Sequence, residues 1–260
     1  MRYLYLLSAF TFASSLIAQI DTVNFEIPPA HVHIDSAGNN IWQIGKPGKN
    51  VFDSAYSAPR AIVTDTLLSY PINNTSSFTL DFELYGGQPF IEFKHRFDSD
   101  TLSDGGFIEI SSDSGQTWLL LTDTTSLDHS NGAFLPYGLE TFGFYGVQDS
   151  IANGRIGFSG SSSDWVTSTI LFPCYAIKKP FELMLRFTFI SDSVSNPNDG
   201  WMIDNIVIQN QGGCSSIDEN QLSQIEVYPN PFSTRSRIDL GESNFLQKAK
   251  MNWRRKTKRG

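Results

Sequence analysis

The stretch Phe78-Thr-Leu-Asp-Phe-Glu-Leu-Tyr85 decides the fold, because apolar and polar residues alternate along it. Its apolar residues share one face of an extended chain: Phe78, Leu80, Phe82 and Leu84. The polar residues between them point to the opposite side. This period of two predicts a β-strand with one buried face and one solvated face.

The same alternation returns between Ile91 and Phe97 and between Leu183 and Phe189. Shorter apolar runs, most of them bounded by Gly, Asn, Asp, Ser or Pro, predict further strands at 60–65, 106–111, 117–121, 155–159, 168–172 and 201–208. Sheets with one apolar face must pack those faces together. The sequence therefore predicts an all-β sandwich followed by a short β-rich C-terminal fragment. Periodicity alone leaves a jelly-roll order and an immunoglobulin-like order both open.

Charge is unevenly spread along the 260 residues, whose net charge is −8. Residues 241–260 hold seven Lys and Arg against one Glu, a net charge of +6, so residues 1–240 carry −14. An acidic body disfavours nucleic acid and anionic membranes as partners. It favours cations, neutral polymers or basic proteins.

The N-terminus has the pattern of an export signal. Met1-Arg2 is followed by a largely apolar run to Ile17, by small residues up to Ala18, and by polar sequence from Gln19. The run is short for a membrane span, so we expect a cleavable signal peptide over 1–19 and no transmembrane segment. Export would permit a disulfide between Cys174 and Cys214, although two cysteines do not show that they are close.

Signatures of common active sites are missing from the chain. There is no HExxH, no GxSxG and no GxxxxGK[ST]. His31 and His33 would share a strand face and offer either two metal ligands or a plain polar pair. Glu83, Glu92 and Glu109 lie on predicted strands and could line a groove as the carboxylates of a glycosidase.

Several segments together resemble the jelly-roll domains of the MAM-like group, including those appended to immune inhibitor A-type metallopeptidases. The segments are Val23-Asn-Phe-Glu26, Ile41-Trp-Gln-Ile-Gly45, the run Asp104-Gly-Gly-Phe-Ile-Glu-Ile-Ser-Ser-Asp-Ser-Gly-Gln-Thr-Trp118, Gly157-Phe-Ser-Gly160 before Trp165, and Asp199-Gly-Trp-Met-Ile-Asp-Asn-Ile up to 208. The resemblance covers roughly residues 23–209 and implies a jelly roll without the peptidase part.

The resemblance also implies a structural calcium ion between the opening and closing strands. Carried over by position, Glu26 and Asp204 are the matching ligands, with Asn24 and Asp53 as guesses for further oxygens. The residue pattern supports this site in part, because Asp204 stands in an otherwise apolar strand. A buried carboxylate is costly in free energy unless it is paired, hydrogen-bonded or bound to a metal.

Two further groups of residues invite a functional interpretation. Two acidic loops could hold a second cation or could simply be solvated: Asp98, Asp100 and Asp104 in one, Asp192 and Asp199 in the other. Trp42 and Trp165 are candidates for ligand contact, since exposed aromatic rings can stack on sugars. Trp118 and Trp201 adjoin alternating strands and are interpreted as structural.

The run Ile225-Glu-Val-Tyr-Pro-Asn-Pro-Phe-Ser233 resembles the start of the type A sorting domain of the type IX secretion system of Bacteroidetes. It implies export by that machinery. The further strands of such a domain do not follow Leu240, and the basic stretch after it is typical of a frameshifted or disordered tail.

These observations predict five segments: a signal peptide (1–19), a jelly-roll sandwich (20–210), a linker (211–224), the start of a sorting domain (225–240) and a basic tail (241–260). We expect a secreted or cell-surface, non-catalytic adhesion or ligand-binding module. Its partner would be an extracellular glycan or protein. The alternatives are an exported hydrolase that uses groove carboxylates and an accessory domain of a metallopeptidase that lacks its catalytic part.

Overall fold

The computed structural model describes residues 19–36, 38–84, 87–122, 139–146, 148–173, 181–195, 197–210, 226–228 and 237–239. The chain divides into two compact units, 1–214 and 215–260. Within the described residues of the second unit, β15 (Glu226–Tyr228) and β16 (Arg237–Asp239) form an antiparallel pair in which Val227 lies opposite Ile238.

Two antiparallel sheets make up the first unit. The first contains β1 (Gln19–Val23), β3 (Trp42–Gly45), β4 (Ala61–Thr64), β6 (Phe90–Asp98), β9 (Glu140–Phe142), β12 (Val166–Leu171) and β14 (Gly200–Asn210). The second contains β2 (Val32–Ile34), β5 (Thr75–Leu84), β7 (Gly105–Ser111), β8 (Leu119–Leu120) and β13 (Phe181–Ile190). The short strands β10 (Ser150–Ile151) and β11 (Arg155–Ile156) form a separate hairpin.

Strand order follows a jelly-roll sandwich rather than a simple meander. The first sheet has the order β3-β4-β14-β6-β12-β9, with β1 also paired to β14, and the second has the order β2-β5-β13-β7-β8. Neighbours such as β14 and β6 are far apart in sequence, so most pairings are long-range. The predicted all-β jelly-roll sandwich is confirmed.

The core lies between the apolar faces that the sequence predicts. Phe78 and Leu80 of β5 and Leu185 and Phe187 of β13 are each 0% exposed. The rings of Phe78 and Phe187 stack with centroids 4.7 Å apart and planes 4° from parallel. Burying each such ring stabilises the fold by roughly 1.5–3 kcal/mol. The alternation of polar and apolar residues in β5, β6 and β13 therefore corresponds to the solvated and buried faces of real strands.

The Asp104-Gly105-Gly106 run is a packing device at the start of β7. A Cβ on Gly106 would lie 2.1 Å from the Trp201 ring, and one on Gly105 would lie 2.2 Å from the main-chain oxygen of Phe158. Only glycine leaves room for these approaches. Trp201 is 0% exposed, so its predicted structural role is confirmed. No helix among the described residues is long and apolar enough to cross a membrane.

Candidate functional site

An opening in the ladder of β14 brings three of the four predicted calcium ligands, Asn24, Glu26 and Asp204, to one loop. One edge of β14 is covered by β4 at Met202–Ile203 and by β1 from Ile206 onward. The other edge of β14 pairs with β6, and there the register shifts between Asp204 and Val207. Asn205, inside this bulge, has φ of 49°. Such a bulge leaves residues unpaired in the ladder. The loop around Ser57 fills this opening.

Asp204 anchors that loop. Its Oδ2 accepts the N–H of Ser57 at 2.7 Å, and its Oδ1 accepts the Ser57 hydroxyl at 2.8 Å and the N–H of Asn205 at 2.7 Å. The residue is 0% exposed. Burial raises the pKa of Asp204, although main-chain donors including Tyr56 oppose the rise. Within the described part of the chain, no basic nitrogen lies within 4.0 Å of this carboxylate.

Two of the three other predicted ligands reach the same loop. The Asn24 carbonyl accepts the Ser57 hydroxyl at 3.4 Å, and Glu26 Oε1 accepts the Arg60 N–H at 3.0 Å. Asp53 is exposed and accepts the hydroxyl of its neighbour Ser54, and no hydrogen bond among the described residues connects it to Asp204.

The groups at this opening that could ligate a metal are oxygens, namely the Glu26 and Asp204 carboxylates, the Asn24 main-chain carbonyl and the Ser57 hydroxyl, and such a set suits calcium better than zinc. The fit is limited by number, because the described residues contain no group of three or more His, Cys, Asp or Glu that could hold a metal. An ion here would depend on Glu26 and Asp204 together with hydroxyl, carbonyl and water oxygens. The observation that such an ion would explain is a carboxylate that is 0% exposed and has no basic nitrogen within 4.0 Å among the described residues.

Tyr56 and Trp165 form an aromatic corner on the outer face of the first sheet. Their ring centroids lie 5.5 Å apart with planes at 72°, so the two rings pack edge to face. Tyr56 is 50% exposed, and Trp165 is half-buried against a small cluster that includes Phe52 and Met202. The predicted ligand contact of Trp165 stays a prediction, and the ring is partly accessible at this position. Tyr56 has no distinctive sequence around it, and sequence reasoning missed it.

A polar stripe continues from the aromatic corner along β6 and β12. Lys94 lies opposite Thr167 and donates to its hydroxyl at 2.8 Å and to Glu92 at 2.9 Å. The Lys94 ammonium also lies 5.8 Å from the Tyr56 ring centroid. Thr169, opposite Glu92, leads to Phe142 of β9, which is 52% exposed. Hydroxyl, carboxylate and ammonium groups thus lie between exposed rings.

Trp42 does not belong to this surface, and its predicted ligand contact is corrected. It is 3% exposed, packs edge-on against Phe78, and donates its indole N–H to the Ser76 carbonyl at 3.1 Å. No face of the ring is open to a ligand.

The indole of Trp118 is occupied within the molecule. The Arg186 guanidinium lies 4.1 Å from the ring centroid, and the indole N–H donates to the Gly115 carbonyl at 2.9 Å. Arg186 in turn donates to Glu109 at 2.6 Å. These contacts hold the hairpin between β7 and β8 against β13.

The three glutamates proposed for a hydrolase do not share one groove. Glu92 lies on the first sheet, whereas Glu83 and Glu109 lie on the second. Glu109 also forms an ion pair with Arg186. A cleft of about 550 Å³ does border Glu83, Glu182, Asp21, Asp81 and His31, with apolar side chains between them. His33 pairs with Asp81 at 2.9 Å, which agrees with the plain polar interpretation of the His31 and His33 pair.

The acidic loops are satisfied largely by main-chain N–H groups. Asp104 is 0% exposed and accepts the Tyr70 hydroxyl at 2.8 Å and the Asp192 N–H at 2.7 Å. Asp199 accepts the N–H groups of Val51 and Phe52, and its own N–H donates to Asp98 at 3.0 Å. Burial raises the pKa of Asp104. These contacts give the loops a structural role.

His95 lies within the aromatic core and makes two hydrogen bonds. Its Nδ1 accepts the Trp201 indole N–H at 3.1 Å, which leaves Nε2 as the donor to the Ser168 oxygen at 3.0 Å. Burial lowers the pKa of His95 to about 3. The ring is therefore neutral at physiological pH. Cys174, Cys214, most of the signal peptide and most of the sorting-domain motif lie outside the described residues.

Comparisons with known proteins give distant structural neighbours. No protein-family model matches the chain, and no curated protein matches it. The K1 cleaved adhesin domain of Lys-gingipain from Porphyromonas gingivalis W83 is 14% identical, with 75% of this chain and 99% of that chain covered and a TM-score of 0.39. The CBM22-1 xylan-binding domain of Xyn10C from Paenibacillus barcinonensis is 7% identical, with coverage of 75% and 97% and a TM-score of 0.39.

A third neighbour is the C-terminal CBM6 of LamC from Zobellia galactanivorans. It is 16% identical, with 74% of this chain and 100% of that chain covered and a TM-score of 0.33. These similarities are too distant to assign an activity to this chain, so its function must be argued from its own surface.

Proposed function

We propose that this protein is an exported, non-catalytic adhesion or ligand-binding module that holds a neutral or weakly charged glycan at the aromatic corner. The carrying observation is the juxtaposition of two partly exposed rings, Tyr56 and Trp165, with the Lys94, Glu92 and Thr167 stripe. Sugars present apolar C–H faces and hydroxyl rims, which suit rings flanked by donors and acceptors.

The shape of the corner favours one sugar ring over a flat two-ring platform. Because the planes of Tyr56 and Trp165 are 72° apart, a pyranose that stacks on one ring meets the edge or face of the other. Lys94, Glu92 and Thr167 then lie where hydroxyls of the same or the next sugar can reach them. Thr169 of β12 comes four positions after Trp165, a span of about 13 Å that fits a short oligosaccharide.

Binding of the full chain to a glycan array tests this function. We expect a restricted set of neutral or weakly charged glycans to bind, and the Trp165→Ala variant to lose that signal. Leu102→Ala serves as the control, since Leu102 is an exposed apolar side chain (57%) away from the corner. Protein binding without any glycan signal would contradict the glycan assignment.

Calcium at Asp204 is a second part of the proposal, with a structural role. Glu26 and Asp204 would supply carboxylates and Asn24 a main-chain carbonyl oxygen, and the ion would add the counter-charge that no basic side chain among the described residues gives the buried Asp204. Calorimetric titration of the parent and of Asp204→Ala with CaCl₂ tests it. Saturable heat in the parent alone is expected, and equal heats in both would contradict it.

Export by the type IX route remains part of the proposal through the residues quoted above. The apolar N-terminal run and the Tyr228-Pro-Asn-Pro-Phe232 segment support it. Fractionation of cells that express the full chain tests the route, with the residues from 225 onward deleted as the comparison. Recovery of both forms in the medium in equal yield would contradict a role for that segment.

A further inference from the structure

Lys49 is a buried cation that the proposed function does not use. The residue is 8% exposed. Its ammonium donates to the main-chain carbonyl of Thr64 at 2.8 Å, to that of Asp199, and to that of Leu68 at 3.4 Å. The Phe52 ring centroid lies 5.2 Å away. Three carbonyl oxygens from two distant parts of the chain therefore converge on one positive charge.

Carbonyl dipoles, and not a paired carboxylate, compensate this charge. Among the described residues, no carboxylate oxygen lies within 4.0 Å of Lys49 Nζ. The carboxylates of Asp199, Asp65 and Asp98 act only from a greater distance. Burial lowers the pKa of Lys49 to about 8, so the group is still mainly charged at neutral pH. Rings of carbonyl oxygens replace the hydration shell of K⁺ in the same way.

The three carbonyls that accept from Lys49, called the carbonyl cage below, are held in place by contacts that do not involve the Lys49 side chain. Gly200 has φ of +93°, and a Cβ there would lie 2.1 Å from Thr64 Oγ1, which accepts the Trp201 N–H at 2.8 Å. These features fix the direction of the Asp199 carbonyl. The Asp199 carboxylate accepts the N–H groups of Val51 and Phe52 at 2.7 and 2.8 Å. The cage should therefore persist when the side chain is shortened.

We propose that the Lys49 ammonium occupies a cation site built from main-chain carbonyls, and that removing the side chain opens this site to a free monovalent cation such as K⁺ or NH₄⁺. The neutral donors argue for a monovalent ion, because Ca²⁺ and Mg²⁺ sites normally include carboxylate ligands.

Rescue of a shortened variant by added cations tests the proposal. Thermal unfolding of the full-length Lys49→Ala protein is followed in tetramethylammonium chloride, KCl and NH₄Cl at equal ionic strength. We expect a midpoint several degrees below that of the parent in tetramethylammonium chloride, and recovery of at least half of the loss in KCl or NH₄Cl, saturating with concentration. Tetramethylammonium has no N–H and is too bulky for the cage.

Two controls separate a site from a general salt effect. Lys46→Ala removes an exposed lysine three residues away, and its midpoint should be the same in all three salts. Lys49→Met fills the space of the lysine side chain without a charge. It should be less stable than the parent, and neither KCl nor NH₄Cl should raise its midpoint. Equal midpoints of Lys49→Ala in the three salts, an unfolded Lys49→Ala chain in all of them, or rescue by Ca²⁺ but not by K⁺ or NH₄⁺ would each overturn the proposal.

Discussion

The buried carboxylate of Asp204 holds Ser57 by two hydrogen bonds, one to its main-chain N–H and one to its hydroxyl. The residue before Ser57 is Tyr56, which forms the aromatic corner with Trp165. A fully buried group in β14 thus sets the position of an exposed ring on the sandwich surface. Binding and stability should respond together when this link is broken.

Asp204→Ala and Ser57→Ala separate the parts of this link. Ser57→Ala removes only the hydroxyl and should lower the free energy of unfolding by about 1 kcal/mol. Asp204→Ala leaves the N–H groups of Ser57 and Asn205 and the Ser57 hydroxyl without this acceptor and should cost about 3 kcal/mol. Denaturation in urea measures both. If Asp204→Ala cost no more than Ser57→Ala, the anchoring role of this carboxylate would be wrong.

Gly106→Ala should be strongly destabilising because its Cβ would overlap the buried Trp201 ring. Forcing extra volume into a packed core costs about 1–3 kcal/mol, and a 2.1 Å approach to a ring with no room to move belongs at the upper end. Gly38→Ala is the matched control, since its Cβ would meet nothing within 4 Å. Urea midpoints that fall equally for both variants would contradict this account of the Asp-Gly-Gly run.

His95 should make stability fall in acid. Its pKa is about 3 in the folded protein, against the ordinary 6.5 when unfolded. Between these values the unfolded chain binds a proton that the folded one does not, so stability is complete above pH 6.5 and is lost as the pH falls toward 3. One such group contributes a slope of at most about 1.4 kcal/mol per pH unit.

Unfolding free energies of the parent and His95→Gln between pH 4 and 7 measure this effect. The variant should be less stable at pH 7 but should show a flatter slope. The raised pKa values of Asp104 and Asp204 act in the opposite direction in both proteins and cancel in the comparison. Parallel curves for the parent and His95→Gln would refute the assignment.

The alternation of polar and apolar residues was sufficient to predict the sheets, because a strand with one solvated face and one buried face repeats this pattern every two residues. It placed Phe78 of β5 and Phe187 of β13 in the core correctly. It could not assign the exposure of Trp42, since a tryptophan at a strand start fits a core or a surface equally well. Burial of Trp42 depends on Ser76 and Phe78, which are more than 30 residues away.

The candidate site was only partly predictable for a related reason. Asp204 was recognisable as a carboxylate in an apolar strand, and Glu26 and Asn24 came from the resemblance. Tyr56 and Lys49 carry no local signal, because their roles depend on contacts with residues such as Trp165 and Asp199 that are over 100 positions away. The acidic loops looked like cation sites because sequence does not show which main-chain N–H groups reach a carboxylate.

The most direct test of the central claim is the affinity of the full chain for its best glycan on the array. It is measured for the parent and for the variants Trp165→Ala, Tyr56→Ala and Tyr56→Phe. Loss of a stacked ring should weaken binding at least tenfold, or about 1.4 kcal/mol, in both alanine variants. Tyr56→Phe keeps the ring and should bind within a few-fold of the parent. Parental affinity in both alanine variants, with the fold intact, would contradict the aromatic corner as the binding site.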